Sequence, residues 1–302
     1  MSGRANLPGR AGPPARDLPV RRDLPARRDL PARRDLPPDP VAARSPLVWR
    51  FMGAYFARYV RRHLNAVRVA TWGMPPAAPA SGPVVIYCNH PAWWDAALII
   101  LLARRFFPAA ESFAPFDAAM LARYRIFSRM GAFGVDLDSP RGAASFMAAS
   151  RKILDRPGRV MWITAQGRFS DVRERPLGLR PGVARLPELA PEALVVPLAL
   201  DYAFWDERGA EACAAFGPGI AARDLLALPR PDRLARLEAD LTATLDRLGA
   251  DVQSRDPVRF VPLLEGRRGV GGVYDAWHRA AAAIAGRRFV PGHRAGDGGR
   301  AP

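Results

Sequence analysis

The sequence predicts an α/β fold: a mixed central sheet flanked by helices, with an N-terminal amphipathic helix and a disordered tail before it. Three observations support this prediction. Short apolar runs typical of buried strands alternate with longer runs of helical periodicity, and this alternation favours a layered α/β sandwich. Hydrophobic residues make up 49% of the 302 residues, enough to bury a sizeable core. The first 46 residues differ from the rest in being repetitive and rich in arginine and proline.

The predicted elements follow from apolar runs and from the residues that end them. Strands are predicted near residues 84–88, 112–114, 132–136, 159–164 and 194–200, with a last strand ending at Phe216. Helices are predicted near residues 46–69, 94–107, 117–128, 141–154, 232–248 and 273–284. Pro197 interrupts the strand at 194–200, and a proline, which has no backbone N–H, predicts a sheet edge or a bulge there.

The N-terminal tail carries an internal repeat. Arg-Asp-Leu-Pro begins at Arg16, Arg22, Arg28 and Arg34. A proline in every repeat opposes both helix and sheet, and one leucine per repeat cannot form a core. We therefore predict disorder for residues 1–46, a single domain at 47–290 and a flexible tail at 291–302.

The helix predicted at residues 46–69 is amphipathic. Its apolar and aromatic positions include Trp49, Phe51, Tyr55 and Phe56, and arginines occupy other positions. Aromatic side chains opposite arginines favour a helix lying in a membrane interface. The alternative is a helix packed on the core with a basic outer face, and both descriptions hold if the helix lies at the mouth of the site.

His90 and Asp95 stand where a predicted strand gives way to a helix. On a continuous helix, residues five apart do not face each other, whereas across a turn that ends in a helix they can. A carboxylate bound to one imidazole nitrogen fixes the tautomer and leaves the other nitrogen to accept a proton. No serine or cysteine nucleophile stands beside them, which leaves a substrate hydroxyl as the candidate. The alternative is a purely structural His–Asp pair.

The run Asn-His-Pro-Ala-Trp-Trp-Asp at residues 89–95 resembles the His-x4-Asp motif of the glycerolipid, or lysophosphatidate-type, acyltransferases, in the form that bacterial members carry. The resemblance extends from about Leu47 to Phe216. It implies that His90 is the general base and that Asp95 orients it. It also implies an acyl thioester, from acyl-CoA or acyl carrier protein, as co-substrate, and no cofactor.

Two further segments resemble conserved blocks of this family but depart from them. The run at 131–138 resembles the second block, which normally ends in an arginine; here Arg141 is displaced into the following turn. Ala-Gln-Gly-Arg-Phe-Ser at 165–170 resembles the third block, Phe-Pro-Glu-Gly-Thr-Arg-Ser. Gly167 is kept, but Gln166 replaces the usual glutamate, which suggests an acceptor other than a glycerol phosphate.

The remaining candidate site residues follow from these blocks. Arg168, Arg173 and Arg141 are candidates for binding an acceptor phosphate, because arginine grips phosphate with paired hydrogen bonds. Gly167 lets the backbone approach a ligand closely. The alternative for Arg168 and Arg173 is that they are solvated surface residues that bind no phosphate. Three residues are weaker candidates for an acyl pocket: Trp93, Trp94 and, through the family's fourth block, Pro197.

Charge and targeting features point to a peripheral membrane protein. The formal net charge is +16, and Lys152 is the only lysine among the 45 basic residues. Such charge favours an anionic membrane surface, and no nucleic-acid-binding signature is present. No run is long and apolar enough to span a bilayer. We therefore expect peripheral, monotopic attachment at the cytoplasmic face of a membrane, in bacteria the inner membrane. Cys88 and Cys213 are expected to be buried thiols.

The expected function is transfer of a fatty acyl group to a hydroxyl of a lysophospholipid or another lipid alcohol. Two alternatives remain. A metal-dependent hydrolase would use His90 and Asp95 as ligands, but His63, His278 and His293 are not at ligand spacing. A non-catalytic membrane- or RNA-binding protein would work through its basic tail.

Overall fold

The computed structural model describes residues 39–266, and over this range the predicted α/β class is confirmed. The strands are β1 Ala66–Ala70, β2 Val84–Cys88, β3 Glu111–Asp117, β4 Ala132–Val135, β5 Arg159–Thr164, β6 Leu194–Ala203, β7 Glu211–Phe216, β8 Ile220–Ala221 and β9 Phe260–Glu265. The α-helices are α1 Pro40–Ala43, α2 Pro46–His63, α3 Asp95–Phe106, α4 Ala118–Arg123, α5 Pro140–Ile153, α6 Leu186–Leu189, α7 Ala222–Leu226 and α8 Arg230–Ser254. Short 3₁₀ helices lie at Arg125–Met130, Val183–Arg185 and Pro257–Arg259.

The nine strands of this range form one mixed sheet in the order β4-β3-β5-β2-β6-β7-β1-β9, with β8 paired to β6. Strands β5, β2 and β6 are parallel neighbours at its centre. Strand β7 is antiparallel to β6, and β1 is parallel to β7 but antiparallel to β9. The five strands predicted from apolar runs are all present.

Alternate residues of β2 face two different layers of the core. Val85 and Tyr87 belong to one buried cluster, which also contains the apolar side of α8. Val84, Ile86 and Cys88 belong to the other cluster, which also contains the inner sides of α2 and α3. A strand buried on both faces reads as an unbroken apolar run, which is why the sequence shows it clearly.

The helix predicted at residues 46–69 is too long by six residues. It ends at His63, and the chain then enters β1, which lies between β7 and β9. Arg68, which the prediction assigned to the arginine-bearing side of this helix, is buried, and its Nε donates to Glu211 Oε2 at 2.7 Å. Asn65 also donates to Glu211. This remote carboxylate and the pairing of β1 with both neighbours outweigh the local helical pattern.

Other predicted boundaries are corrected in the same way. The helix expected at 117–128 is split into α4 and the 3₁₀ helix at 125–130. The strand that ends at Phe216 is β7, and it is not the last strand, because β8 and β9 follow it. Helix α1 lies inside the range 1–46 that was predicted to be disordered, and Asp39 caps its N-terminus by accepting from two backbone amides. Residues 1–38 and the helix and tail predicted after 266 lie outside the described residues.

The sequence predicts a sheet edge or a bulge at Pro197. The structure places Pro197 in β6, which has partners on both sides and is therefore not an edge. Residues 194 and 195 pair with β8, and pairing with β7 begins at Leu198. Pro197 falls in the gap between these two antiparallel ladders, so its missing N–H removes a bond from neither. Its carbonyl accepts from the Gly217 N–H at 2.9 Å.

We predict that Glu211→Gln lowers the free energy of unfolding by about 3 kcal/mol, because it leaves the buried Arg68 guanidinium without a counter-charge. Urea unfolding followed by circular dichroism measures this loss. The matched control is Glu192→Gln, which removes the exposed partner of Arg223 and is expected to change stability by less than about 1 kcal/mol. Equal effects of the two substitutions would contradict this account of β1.

Candidate active site

The candidate site lies where three central strands end side by side. Strands β5, β2 and β6 are parallel neighbours, so their carboxyl ends meet at one edge of the sheet. In open α/β sheets this edge is where ligands bind. Three segments meet there: residues 89–95 after β2, residues 165–170 after β5, and the end of β6 around Tyr202.

The backbone of His90 is held by both neighbouring strands. The side chain of Asn89 is buried and makes two hydrogen bonds of 2.9 Å with the backbone N–H and C=O of Leu200 in β6. The His90 N–H donates to Gln166 Oε1 at 2.9 Å, and the His90 carbonyl accepts from the Ser170 N–H at 3.0 Å. The backbone position of His90 is therefore fixed independently of the contacts that its side chain makes.

The imidazole of His90 and the carboxylate of Asp95 are directly hydrogen-bonded, with 2.6 Å between Nδ1 and Oδ2. Asp95 is fully buried and is the first residue of α3, where the helix dipole favours a negative charge. The same Oδ2 accepts from the Ala92 N–H at 3.2 Å. The other oxygen, Oδ1, accepts from the Tyr202 hydroxyl at 2.8 Å. The carboxylate is thus held rigidly and orients the ring.

The other edge of the imidazole is open. The His90 side chain is 22% exposed, and within residues 39–266 its Nε2 has no hydrogen-bond partner. The ring of Phe169 packs against it, with centroids 4.2 Å apart. With Nδ1 held as a donor to Asp95, Nε2 is free to accept a proton from a substrate.

The neighbouring side chains provide no protein nucleophile for the imidazole to activate. Burial raises the pKa of the Cys88 thiol well above its usual value, so the thiol stays protonated at neutral pH. Its sulfur donates to the Ile163 carbonyl at 3.4 Å. The Ser170 hydroxyl is buried and makes no hydrogen bond within the described range, to His90 or to any other group. Cys88 and Cys213 are both buried free thiols, as predicted.

The segment that contains His90 and Asp95 matches a known protein family. Residues 71–201 match the Acyltransferase family model, the family of lysophospholipid and glycerolipid acyltransferases. This segment therefore belongs to the acyltransferase family. The match takes in β2 to β5, most of β6, and both His90 and Asp95, but it ends one residue before Tyr202 and does not include α2 or α8. No curated protein matches the chain.

Two of the three arginines predicted to bind phosphate, Arg168 and Arg173, already have carboxylate partners in this acyltransferase domain. Arg168 makes a two-pronged ion pair with Glu174, with 3.1 Å between Nη1 and Oε2. Arg173 makes a similar pair with Asp171 at 2.8 and 2.7 Å. Arg141 is exposed on the first turn of α5. None of these three guanidiniums contacts His90 or Asp95 in the structure.

Gly167 is in the left-handed region, with φ +64°, as a turn glycine requires. A Cβ there would lie 3.1 Å from the side chain of Arg180. The Arg180 guanidinium extends to the Leu137 carbonyl at 3.4 Å and lies 3.9 Å from Asp138. The glycine therefore makes room for an arginine that the sequence did not single out.

Gln166 bridges two backbone groups. While its Oε1 accepts from the His90 N–H, its Nε2 donates to the Leu177 carbonyl at 2.9 Å. A carboxylate can only accept hydrogen bonds, so an ionised glutamate would leave the Leu177 carbonyl without its donor. The amide at this position is required by the local backbone.

The three acyl-pocket candidates lie in different places. Trp93 is 63% exposed beside the site. Trp94 is half-buried and packs on Tyr59 of α2, with centroids 5.6 Å apart. Pro197 is buried beside Gly217 and Thr244 of α8, on the sheet face opposite Tyr202 and Asp95. The structure therefore does not bring Pro197 together with the two tryptophans.

Two residues that position the His–Asp pair were not recognised in the sequence. In the sequence Asn89 is only the first residue of the motif at 89–95, and nothing singles out Tyr202. A polar residue immediately before the histidine was the available signal for Asn89. Tyr202 had none, because its role depends on β6 lying beside β2. Burial and the Asp95 carboxylate raise the pKa of the Tyr202 phenol well above its usual value, which keeps it a hydrogen-bond donor.

Two features are absent from residues 39–266. No cluster of three or more histidine, cysteine, aspartate or glutamate side chains there has a geometry suited to holding a metal ion. None of the helices in that range is both long and apolar enough to cross a membrane.

We predict that Tyr202→Phe lowers kcat/KM for acyl transfer about tenfold, because Asp95 loses one of the donors that hold it in place. The matched control is Tyr87→Phe, which removes another buried tyrosine hydroxyl, the donor to the Leu237 carbonyl at 3.1 Å. Both substitutions are expected to cost about 1–2 kcal/mol of stability. Kinetics measured well below both melting temperatures separate the two effects. Equal activities of the two variants would show that Tyr202 is merely structural.

Proposed function

We propose that the protein is an O-acyltransferase that moves a fatty acyl group from a thioester to a hydroxyl of a lysophospholipid or another lipid alcohol. The thioester is acyl-CoA or acyl carrier protein, and no further cofactor takes part. Acylation of 1-acylglycerol 3-phosphate is the usual activity of the lysophosphatidate-type acyltransferases, which this sequence resembles. The observation that carries this proposal is the 2.6 Å contact between His90 Nδ1 and Asp95 Oδ2, together with the open Nε2 edge.

In this mechanism His90 acts as general base and then as general acid. Nε2 takes the proton of the acceptor hydroxyl while the hydroxyl oxygen attacks the carbonyl carbon of the thioester. Asp95 stabilises the imidazolium that forms. Collapse of the tetrahedral intermediate breaks the C–S bond. The thiolate leaves and receives the proton from Nε2, so the products are an ester and a free thiol.

The tetrahedral intermediate needs donors for its oxyanion, and backbone amides of the turn at Gly167 are the candidates. The N–H of Gly167 already donates to the Thr164 carbonyl at 3.0 Å. The donors in this proposal are therefore the amides that follow Gly167, those of Arg168 and Phe169.

We predict that His90→Ala and Asp95→Asn each lower kcat/KM by roughly 10²–10⁴-fold, the usual contribution of general base catalysis. Asp95→Asn retains the shape of the side chain but not its charge. The matched control is Asp246→Asn, which changes an exposed aspartate of α8 that pairs with Arg175. This substitution is expected to leave the rate unchanged.

The assay measures thiol release from an acyl thioester in the presence of a lipid extract. Mass spectrometry identifies the ester that is formed. Melting temperatures establish that each variant is folded. A fully active His90→Ala enzyme would end the proposal.

We also propose that the domain works at a membrane surface, at the cytoplasmic face, and that α2 contacts the lipid. The inner side of α2 packs on the core through Phe56 and Val60. Its outer side exposes Leu47, Phe51 and Tyr55 at intervals of four residues, which form one apolar stripe. This combination supports an interfacial helix that is also part of the fold.

The charges of α2 fit the same orientation. Arg58, Arg61 and Arg62 are exposed near its C-terminal end. The adjacent Tyr59 ring lies 6.4 Å from that of Trp93, which is three residues from His90. Arginines near an interfacial aromatic helix attract anionic headgroups. The proposal therefore places the open edge of His90 close to the lipid.

We predict that the double substitution Phe51→Ser/Tyr55→Ser weakens binding to vesicles about tenfold or more, because each exposed ring contributes roughly 1.5 kcal/mol or more when buried. Flotation with vesicles of phosphatidylglycerol and phosphatidylethanolamine measures this. Val258→Ser, at an 81% exposed position outside α2, is the control and is expected to bind like the unaltered protein. Unchanged flotation of the double variant would contradict a role of α2 in membrane contact.

A further inference from the structure

The open edge of His90 has an aromatic neighbour rather than a cationic one. Phe169 packs its ring against the imidazole at 4.2 Å between centroids, with an interplanar angle of 32°. Phe169 is nevertheless 59% exposed, so much of its ring is accessible to a ligand beside the imidazole. An acceptor whose hydroxyl reaches the imidazole therefore approaches beside an apolar ring.

The charged residues next to Phe169 neutralise one another. Arg168 is paired with Glu174, and Arg173 with Asp171. Hydrogen bonds from Arg173 hold the pKa of Asp171 well below its usual value, so this partner stays ionised at neutral pH. The carboxylate of Asp201 adds a further negative charge close enough to act on Arg173. The segment thus offers an anion no net positive charge.

A phosphate would gain little by taking the place of these carboxylates. Exposed ion pairs contribute only about 0–1 kcal/mol, and exchanging one anion for another on the same guanidinium leaves the number of contacts unchanged. A phosphate placed against the Phe169 ring would lose hydration without gaining donors, which is costly. Arg175, the next arginine along the chain, pairs with Asp246. Arg180 is directed at the Leu137 carbonyl and Asp138.

We propose that the acceptor is an uncharged lipid alcohol, one that carries no phosphate next to the reacting hydroxyl, and that Phe169 determines this preference. The inference rests on the proposed acyl transfer and narrows its acceptor class. The aromatic ring packs on the carbon skeleton beside the hydroxyl, while Nε2 of His90 takes the proton.

The test uses two acceptors that differ only in the phosphate: 1-monoacylglycerol and 1-acylglycerol 3-phosphate. With the full-length protein and one acyl thioester, kcat/KM is expected to be at least about tenfold higher for monoacylglycerol, a ratio that a single pocket contact typically supplies. A preference for the phosphorylated acceptor would overturn the inference.

Two variants test the role of Phe169 through the ratio of the two kcat/KM values rather than through absolute rates. Phe169→Arg introduces a guanidinium beside the imidazole and is expected to shift the ratio towards the phosphorylated acceptor about tenfold or more. Phe169→Leu keeps an apolar side chain and is expected to keep the ratio within about threefold. An unchanged ratio in Phe169→Arg would refute the assignment to this residue.

Failure of the inference and failure of the proposed function give different results. Transfer to neither acceptor overturns the inference. If the protein then still releases thiol from the thioester in the presence of a total lipid extract, with formation of a new ester, the acyltransferase proposal stands. If no thiol is released under any of these conditions, both fail.

Discussion

The hydrogen bond between His90 and Asp95 depends on contacts made by three adjacent strands. Two residues five positions apart meet only if the turn between them is rigid. Asn89 ties this turn to β6, and Gln166 ties it to the segment after β5. Asn89, Asp95 and Gln166 are all buried, and both polar atoms at the end of each side chain are hydrogen-bonded. A fully satisfied buried network of this kind fixes a single geometry, which is what a general base requires.

The neutral amide of Gln166 has a structural explanation that bears on the choice of acceptor. From the sequence, the replacement of a family glutamate suggested a different acceptor. The structure shows that this side chain must both accept from the His90 N–H and donate to the Leu177 carbonyl, which an amide does at any pH. The amide of Gln166 therefore has a structural role whatever the acceptor is. Our proposal on the acceptor rests instead on Phe169, whose ring packs against the imidazole, and on the paired arginines near it in the chain.

Helix α2 connects the fold to the surface on which we propose that the enzyme works. Its inner residues complete the core layer that covers α3, while its outer residues expose apolar rings and arginines. A soluble domain gains nothing from a stripe of exposed aromatic side chains, whereas a lipid surface buries them. Because Tyr59 of the same helix contacts both Trp93 and Trp94, the position of α2 is coupled to the turn that carries His90.

The sequence alone determined the strands at the centre of the sheet, since residues buried on both faces form unbroken apolar runs, and it determined the His90–Asp95 pair through spacing and position. It could not determine β1, because Arg68 is buried only by virtue of Glu211, a residue 143 positions further along the chain. Nor could it assign Tyr202 to Asp95, 107 positions away, or show that Arg168 and Arg173 are already paired with carboxylates. The tertiary structure decided these points because burial and pairing depend on which remote side chain occupies the adjoining space, and no local pattern records that.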